Sequence, residues 1–362
     1  MLITLLLFIG ILVIVIIGHE FGHFIVARWN GVKVEEFGFG LPPKIWGFKP
    51  KNSDTEYNIN ALPIGGYVKL LGEEGDNRDN PQSFASKKPW QRIAILSAGV
   101  IMNIIIAVVA FTIVGMLGTQ VQIDKSEINS GKYSNITTLI TSVAEDSPAK
   151  KAGLRFGDEI QSVNGIKVVT QSEVSDIINA NAGKSIDIII SRGSETITKN
   201  ITPRENPPKG EGATGITIEL TGLQKLSFFE SFKLAFVRIY VIVVTTLSML
   251  GQMIASIFTR APLPPGAEVT GPVGLVQVVG DFQDLGLTYI ITFIGLISTS
   301  LALFNILPIP ALDGGRIVFV IIEWIKKSPV SQAVENRFHL VGYSILLLLM
   351  LLVTVKDIIK LF

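Results

Sequence analysis

The N-terminal stretch constrains the fold and the chemistry of this chain more than any other. Residues 2–17 are almost uniformly apolar and would cross a bilayer as a helix. Three ionisable side chains then follow within the same apolar stretch, namely His19, Glu20 and His23. Because ionisable groups are costly to bury in a membrane, those that occur there usually have a function.

The spacing of these three residues is that of a metal site. His19 and His23 are four residues apart and lie on one face of a helix, where both imidazoles can reach one ion. Glu20 follows the first of them, where its carboxylate can take a proton from an activated water molecule. His-Glu-x-x-His is the arrangement found in zinc hydrolases.

Composition places the chain among the membrane proteins. It is 48% hydrophobic with a mean hydropathy of +0.49, which is typical of several membrane spans with a polar insert. Its 362 residues allow more than one domain. The net charge of +1 gives no electrostatic case for nucleic acid as a partner. Since the chain has no Cys, a metal must be held by His and carboxylate side chains.

The charges after the first span set its predicted orientation. Residues 2–27 have no basic segment before them and too long an apolar run for a cleavable signal peptide, so we expect no cleavage. Ten Lys or Arg residues lie from Arg28 to Arg92. The positive-inside rule therefore places the N-terminus outside and residue 30 onward in the cytoplasm.

Residues 30–88 are predicted to form a small set of short strands. Apolar pieces at 32–39, 57–62 and 67–71 alternate with glycine-containing turns. A strand edge near the metal site could hold an extended peptide by main-chain pairing. An ordinary loop sheet explains the same pattern equally well, and the sequence leaves both interpretations open.

Residues 119–222 are polar and contain alternating strands. Their central phrase, SPAKKAGLRFGDEIQSVNGIKV at 147–168, has turns at Gly153, Gly157 and Asn164-Gly165. This phrase resembles the PDZ domains of bacterial proteases, and residues 171–181 would form the helix beside the peptide groove. PDZ domains bind extended peptide segments by strand addition, so such segments are candidate partners.

The other apolar segments supply the remaining spans. Residues 91–118, 287–312 and 338–359 are predicted as the second, third and fourth. If the third span is to end beside the histidines, an even number of crossings must separate the second span from it. We therefore assign residues 226–258 to amphiphilic helices that lie on the outer surface or dip into the membrane without crossing it.

The predicted fold class is a membrane α-helical protein with four transmembrane helices, a membrane-associated β segment and an inserted PDZ-like α+β domain. Its domains are residues 1–118 with two spans and the β segment, 119–222 as the PDZ-like domain, 223–286 as surface helices and linker, and 287–362 with the last two spans.

Three further polar residues are candidates for the metal site. Pro308 and Pro310 break the third span, and Asp313 follows at about the depth of the histidines. Asn103 lies inside the second span, where it either bonds a neighbouring helix or shapes the site, and we favour the first role. His339 is an alternative third ligand, although a site of two histidines and one carboxylate favours Asp313.

Two motifs and the insert together indicate a family. HEFGH at 19–23, NILPIPALDG at 305–314 and the PDZ-like insert resemble the bacterial site-2 proteases, which are intramembrane zinc metalloproteases, and specifically their RseP/RasP branch. The resemblance covers essentially the whole chain. It implies cleavage of peptide bonds inside the transmembrane segments of single-span membrane proteins, such as anti-sigma factors or remnant signal peptides.

The resemblance also assigns residues. It implies one Zn²⁺ ion held by His19, His23 and Asp313, with Glu20 as the catalytic base. The residues that it implies in substrate binding are Asn305, Gly65 and Gly66. It places the protein in the bacterial cytoplasmic (inner) membrane, surrounded by the lipid bilayer, with the active site near the cytoplasmic face and the PDZ-like domain outside.

Two other functions use the same residues. A metal transporter would use the ionisable cluster as a transit site and would not need a PDZ-like domain. A non-catalytic membrane adaptor would recruit partners through that domain and hold a structural metal with four protein ligands. Neither function gives Glu20 a role, and we therefore favour the protease.

Overall fold

A computed structural model of the protein describes residues 2–208, 210–259 and 271–359. The chain divides into two compact units. The first comprises residues 1–111, 235–279 and 293–362, and the second comprises residues 112–234 and 280–292.

The described helices and strands follow one another in a fixed order. They are α1 (Leu2–Trp29), β1 (Val34–Phe48), β2 (Glu56–Leu70), α2 (Pro89–Leu117), β3 (Thr119–Gln122), β4 (Ser134–Val143), α3 (Pro148–Lys151), β5 (Glu159–Val163), β6 (Ile166–Lys167), α4 (Gln171–Ala180), β7 (Ile186–Arg192), β8 (Glu195–Ile201), β9 (Ile216–Gln224), α5 (Phe228–Thr259), α6 (Pro272–Leu285), α7 (Leu287–Ile306), α8 (Asp313–Lys326) and α9 (Gln332–Ile359).

Five of the described helices are long and apolar enough to cross a membrane. They are α1, α2, α5 over Phe228–Ser256, α7 and α9. Four of these are the predicted spans, and α5 is the segment that the sequence assigned to the membrane surface. Because α5 meets the same criteria of length and composition, the predicted count of four spans is not confirmed.

Residues 226–258 contain one helix where several were predicted. Helix α5 is continuous over 32 residues, which corresponds to about 48 Å at 1.5 Å per residue. Within the first unit it packs along α2, where Ala235 and Ile239 contact Ala107, Val108 and Phe111. One helix therefore replaces the several that were predicted, since residues 226–258 contain no proline that would break it.

The predicted short strands between α1 and α2 are present, but bends join them into two longer strands. Strands β1 and β2 have 15 residues each, and we call the pair the hairpin. Residues 37–39 of β1 pair with β2 on both sides, at residues 66–68 and at residues 57–59. Gly40 and Gly65 both adopt a φ of +86°, a conformation that side-chain-bearing residues rarely accept. These two glycines bend the strands without ending them, so the sequence signal for a turn marked an irregularity inside a strand.

The base of this hairpin packs beside the helix of the histidines. Val34 and Leu70 are buried against Phe24 of α1, Ile95 of α2 and Val320 of α8. The second half of β1 is exposed. The buried end therefore holds the hairpin against the N-terminal helices of the first unit.

The second unit is built on one antiparallel sheet. Its strand order is β3-β9-β4-β5-β7-β8, with β6 paired to β5. The Asn164-Gly165 turn between β5 and β6 has both residues at positive φ, as a two-residue hairpin requires. Helix α4 lies within the predicted range 171–181, and Thr170 with Glu173 forms a capping box at its start. The predicted PDZ-like elements are thus confirmed in type and position.

Helix α7 ends earlier than the predicted third span. It stops at Ile306, because Pro308 and Pro310 cannot continue the helical hydrogen bonds. Residues 307–312, which we call the prolyl loop, connect α7 to α8. Helix α8 begins at Asp313, so the loop delivers this carboxylate at a helix N-terminus.

Candidate metal centre

Three side chains from two distant segments meet at one point in the first unit. His19 and His23 project from the same face of α1, and Asp313 opens α8. The His19 Nε2 and Asp313 Oδ2 atoms are 3.1 Å apart, the His23 Nε2 and Asp313 Oδ2 atoms 3.3 Å, and the two Nε2 atoms 3.1 Å. Both histidines are buried, and together the three groups could hold one metal ion.

These separations suit zinc. Two ligand atoms at about 2.1 Å from a tetrahedral ion lie about 3.4 Å from each other, close to the three distances observed. Burial raises the pKa of Asp313, but its contacts with His19 and His23 outweigh burial, and the pKa lies well below its ordinary range. A carboxyl group that binds a metal ion must itself be ionised.

Helix α2 supplies the wall behind the two histidines. Its residues Ile95, Gly99 and Asn103 lie at intervals of four on one face. The Ile95 carbonyl oxygen is 2.8 Å from His23 Nδ1, and the Asn103 amide nitrogen is 3.2 Å from His19 Nδ1. The sequence favoured a structural role for Asn103, and the structure instead places it against a candidate ligand.

Gly99 allows α2 to approach this close. A Cβ atom at this position would lie 2.4 Å from His23 Nε2 and 2.6 Å from His19 Cε1. Gly22 of α1 makes the reciprocal approach, since a Cβ there would lie 2.4 Å from the Ala98 carbonyl oxygen. The space that a metal ion needs is thus kept free by missing side chains, which the sequence pattern did not reveal.

Glu20 and part of β2 border a cavity beside these ligands. The cavity has a volume of about 190 Å³. Its lining includes Glu20 and Gly66, and a Cβ atom on Gly66 would lie 2.9 Å from Glu20 Cγ. Tyr67 and Val68 continue the β2 wall, and Tyr343 of α9 lines the cavity as well. Only a glycine lets β2 pass this close to the glutamate.

An ion pair joins two segments that also line this cavity. Arg316, in the first turn of α8, pairs with Glu73, which follows β2. Burial lowers the pKa of Arg316, but Glu73 and the nearby Asp313 raise it, and the net shift is upward. The pair ties the end of the hairpin to the helix that carries Asp313.

His339 holds the prolyl loop and is not part of the three-residue cluster. Its Nδ1 accepts a hydrogen bond from the Ala311 main-chain N–H at 2.9 Å. Ala311 has a φ of +72°, which costs a residue with a Cβ about 1–2 kcal/mol. The alternative of His339 as third ligand is therefore not supported, and its position indicates a supporting role for the loop.

The three candidate substrate residues lie on different elements. Gly65 and Gly66 are in β2, and Gly66 lines the cavity. Asn305 lies in the last turn of α7, is partly buried and is not among the described residues that line the cavity. The sequence did not single out Glu73, Arg316 or Tyr343, because each is an ordinary polar residue outside any motif.

Proteins of known sequence resemble the chain over almost its full length. A Clostridium perfringens protein, whose name assigns it to the zinc metalloproteases, is 35% identical over 348 residues, which is 95% of each chain. A Clostridium acetobutylicum protein of similar name is 32% identical over 97% of this chain and 95% of its own. The zinc metalloprotease RasP of Geobacillus kaustophilus is 27% identical and covers 95% of each chain.

Among solved structures, the PDZ domain of an SdrC-like protein from Listeria monocytogenes covers 23% of this chain and 86% of its own, with 26% identity and a TM-score of 0.21. The model of peptidase family M50 matches residues 7–349. With its apolar helices, this match makes the chain a multi-pass membrane protein. The chain belongs to peptidase family M50, and it is a zinc metalloprotease.

Proposed function

We propose that this protease cleaves peptide bonds inside the membrane segments of single-span proteins, with one zinc ion held by His19, His23 and Asp313. The observation that carries the proposal is that Asp313 meets His19 and His23 within 3.3 Å, and that both histidines lie on a helix of membrane-spanning length. A soluble substrate would not require the site to be built into such a helix.

Glu20 is the proposed catalytic base. When bound, zinc lowers the pKa of a water molecule and polarises the scissile carbonyl. Glu20 accepts the proton from the attacking water and donates it to the leaving amine. Its place beside the ligands and against β2 supports this role.

Strand β2 is the proposed binding surface for the opened substrate. The peptide carbonyls of a membrane helix are engaged in hydrogen bonds, so the substrate must unwind before hydrolysis. Residues 66–70 of β2 pair with residues 34–39 of β1 on one side and have no partner strand on the other side among the described residues. An extended segment can pair with such an edge at Gly65 and Gly66, next to Glu20. Asn305 is a proposed further contact.

The PDZ-like domain is proposed to bind peptide segments. A cavity of about 270 Å³ lies between α4 and the first half of β9, where Ser175, Ile178 and residues 214–218 line it. Residues 221–224 of β9 pair with β3, whereas the preceding part of this edge lies beside the cavity. This arrangement suits strand addition.

We further propose four transmembrane helices in the bacterial cytoplasmic membrane. The active site then lies near the cytoplasmic face and the PDZ-like domain outside, with α5 on the outer surface or dipping into the bilayer. The basic residues from Arg28 to Arg92 support this orientation. In this proposal the domains are residues 1–118, 119–222, 223–286 and 287–362.

The decisive experiment combines purified full-length protein in detergent with a model single-span substrate, with and without a chelator. Glu20→Gln is expected to bind zinc at the wild-type stoichiometry and to cleave nothing, because the ligands remain and the base is lost. His23→Phe and Asp313→Ala are expected to lose both zinc and cleavage. Cleavage by Glu20→Gln at the wild-type rate would contradict the assignment, as would retention of zinc by Asp313→Ala.

A further inference from the structure

We propose that Asn103 is a positioning residue that holds His19 in the tautomer whose Nε2 faces the metal. The inference rests on the proposed ligand set. Asn103 is fully buried in α2, and its amide lies 3.2 Å from His19 Nδ1. On the opposite edge of the same imidazole, Nε2 lies 3.1 Å from Asp313 Oδ2. The Asn103 amide thus contacts one ring nitrogen of His19, and the Asp313 carboxylate contacts the other.

The chemistry of imidazole requires a partner at Nδ1. A neutral imidazole carries one N–H, and the nitrogen that binds a metal must offer a lone pair. If Nε2 of His19 binds the ion, Nδ1 carries the proton and needs an acceptor. The amide oxygen of Asn103 is the side-chain acceptor at this position, since the oxygen and nitrogen of an amide can exchange places by rotation.

The surroundings of Asn103 allow this orientation. With the amide nitrogen facing His19, the buried Oδ1 has no hydrogen-bond partner among the described residues. Rotation of the amide places this oxygen at the His19 N–H and moves the amide nitrogen to the unpartnered side. Each orientation therefore leaves one end of the amide unpaired, and the proton on His19 Nδ1 selects the rotated one.

The second histidine shows the same arrangement with a different acceptor. His23 Nδ1 lies 2.8 Å from the Ile95 main-chain carbonyl oxygen, which can only accept. His23 Nδ1 therefore carries the proton, and its Nε2 is free for the ion. A main-chain carbonyl survives any side-chain substitution, whereas the partner of His19 is a single replaceable amide.

The test compares two variants of the full-length protein in detergent. Asn103→Leu keeps the approximate shape and removes the acceptor, and Asn103→Asp keeps an acceptor. We expect Asn103→Leu to bind zinc about 10- to 100-fold more weakly in competition with a chromogenic chelator, which is the usual effect of losing such a partner. Asn103→Asp should bind within a few-fold of wild type. Thr112→Val, which changes another buried polar residue of α2, should bind as wild type does.

Thermal unfolding supplies a readout that a merely structural role would not give. The metal-free Asn103→Leu protein is expected to melt at the wild-type temperature or above, because a buried amide with one unpaired end is replaced by an apolar side chain. The rise in Tm on adding zinc should shrink, since ligand stabilisation follows the ratio of free zinc to Kd. A lower metal-free Tm with unchanged zinc affinity would overturn the inference and make Asn103 structural.

A ligand variant separates this inference from the proposal on which it rests. His19→Ala should lose zinc if the ligand set is right. Loss of zinc in His19→Ala with wild-type affinity in Asn103→Leu would contradict only the role of Asn103. Retention of zinc in His19→Ala would contradict the ligand set itself.

Discussion

The candidate site joins a regular helix and an irregular loop, and the two present their ligands by different means. Helix α1 fixes His19 and His23 through its own periodicity, because residues four apart share a face. The prolyl loop carries Asp313 on a segment with two prolines and with Ala311 at a φ of +72°. A helix supports its own ligands, whereas the loop depends on neighbours.

Those neighbours come from other elements of the first unit. His339 of α9 accepts the Ala311 N–H, and Gly342 of the same helix leaves room for Pro310, whose Cβ would lie 2.1 Å from an added Cβ. Arg316 ties the start of α8 to Glu73. The comparison teaches that the helical half of the site, with His19 and His23, depends on the space between α1 and α2. The loop half, with Asp313, depends on contacts from other elements to the prolyl loop.

The largest effect is expected where the helical half loses its space. Gly99→Ala places a Cβ 2.4 Å from His23 Nε2, so we expect zinc affinity to fall by about 100-fold or more, at the upper end for disturbed ligand surroundings. Gly10→Ala in α1 is the matched control, because an added Cβ there meets nothing within 4 Å. Zinc titration by calorimetry measures both. Equal affinity in the two variants would show that the helices move apart at no cost.

The loop half is tested by removing its acceptor. His339→Leu leaves the Ala311 N–H without its partner, so Asp313 should be held less firmly and zinc affinity should fall roughly 10-fold. Ser344→Ala on the same helix is the control, because its hydroxyl donates a hydrogen bond to the Leu340 carbonyl within α9 and, among the described residues, not to the prolyl loop. Wild-type affinity in His339→Leu would mean that the prolines alone hold the loop.

This contrast also explains what the sequence could predict. The pair of histidines, Glu20 and Asp313 follow from motifs and from helical periodicity, and the PDZ-like insert follows from its turns. The contributions of Gly99 and Asn103 depend on which face of α2 meets α1, and periodicity within one apolar helix cannot decide that.

The continuity of β1 and β2 was missed for a related reason. Glycine signals both a turn and a bend inside a strand, and only the pairing of β1 with β2 shows that Gly40 and Gly65 are bends. The role of His339 in holding the prolyl loop was missed because the two are far apart along the chain and no motif connects them.

A smaller effect is expected at the ion pair that ties α8 to the hairpin. Glu73→Gln removes the charge opposite Arg316, and we expect cleavage to fall roughly 2- to 5-fold with zinc content unchanged, since a partly exposed pair contributes about 0.2–1 kcal/mol. Glu74→Gln, at an exposed neighbour, should cleave at the wild-type rate. Initial cleavage rates on the model substrate distinguish the two variants. A loss of zinc in Glu73→Gln would instead show that the ion pair helps to hold the prolyl loop and its Asp313 ligand in place.

The smallest effect concerns the strain in the loop itself. Ala311→Gly relieves the positive φ, which costs alanine about 1–2 kcal/mol, but adds chain entropy to the unfolded state worth about 0.4–1 kcal/mol. We expect a net gain in the free energy of unfolding of about 0–1.6 kcal/mol, seen as a small rise in Tm. Ala255→Gly, at an exposed position of α5, should instead lower stability by about 1 kcal/mol, because glycine disfavours a helix interior. The two variants therefore test the strain by the sign of the stability change, which should be positive for Ala311→Gly and negative for Ala255→Gly. If both variants lose stability, the conformation of Ala311 is not strained, and the loop would then hold Asp313 by the same means as the helix holds its histidines.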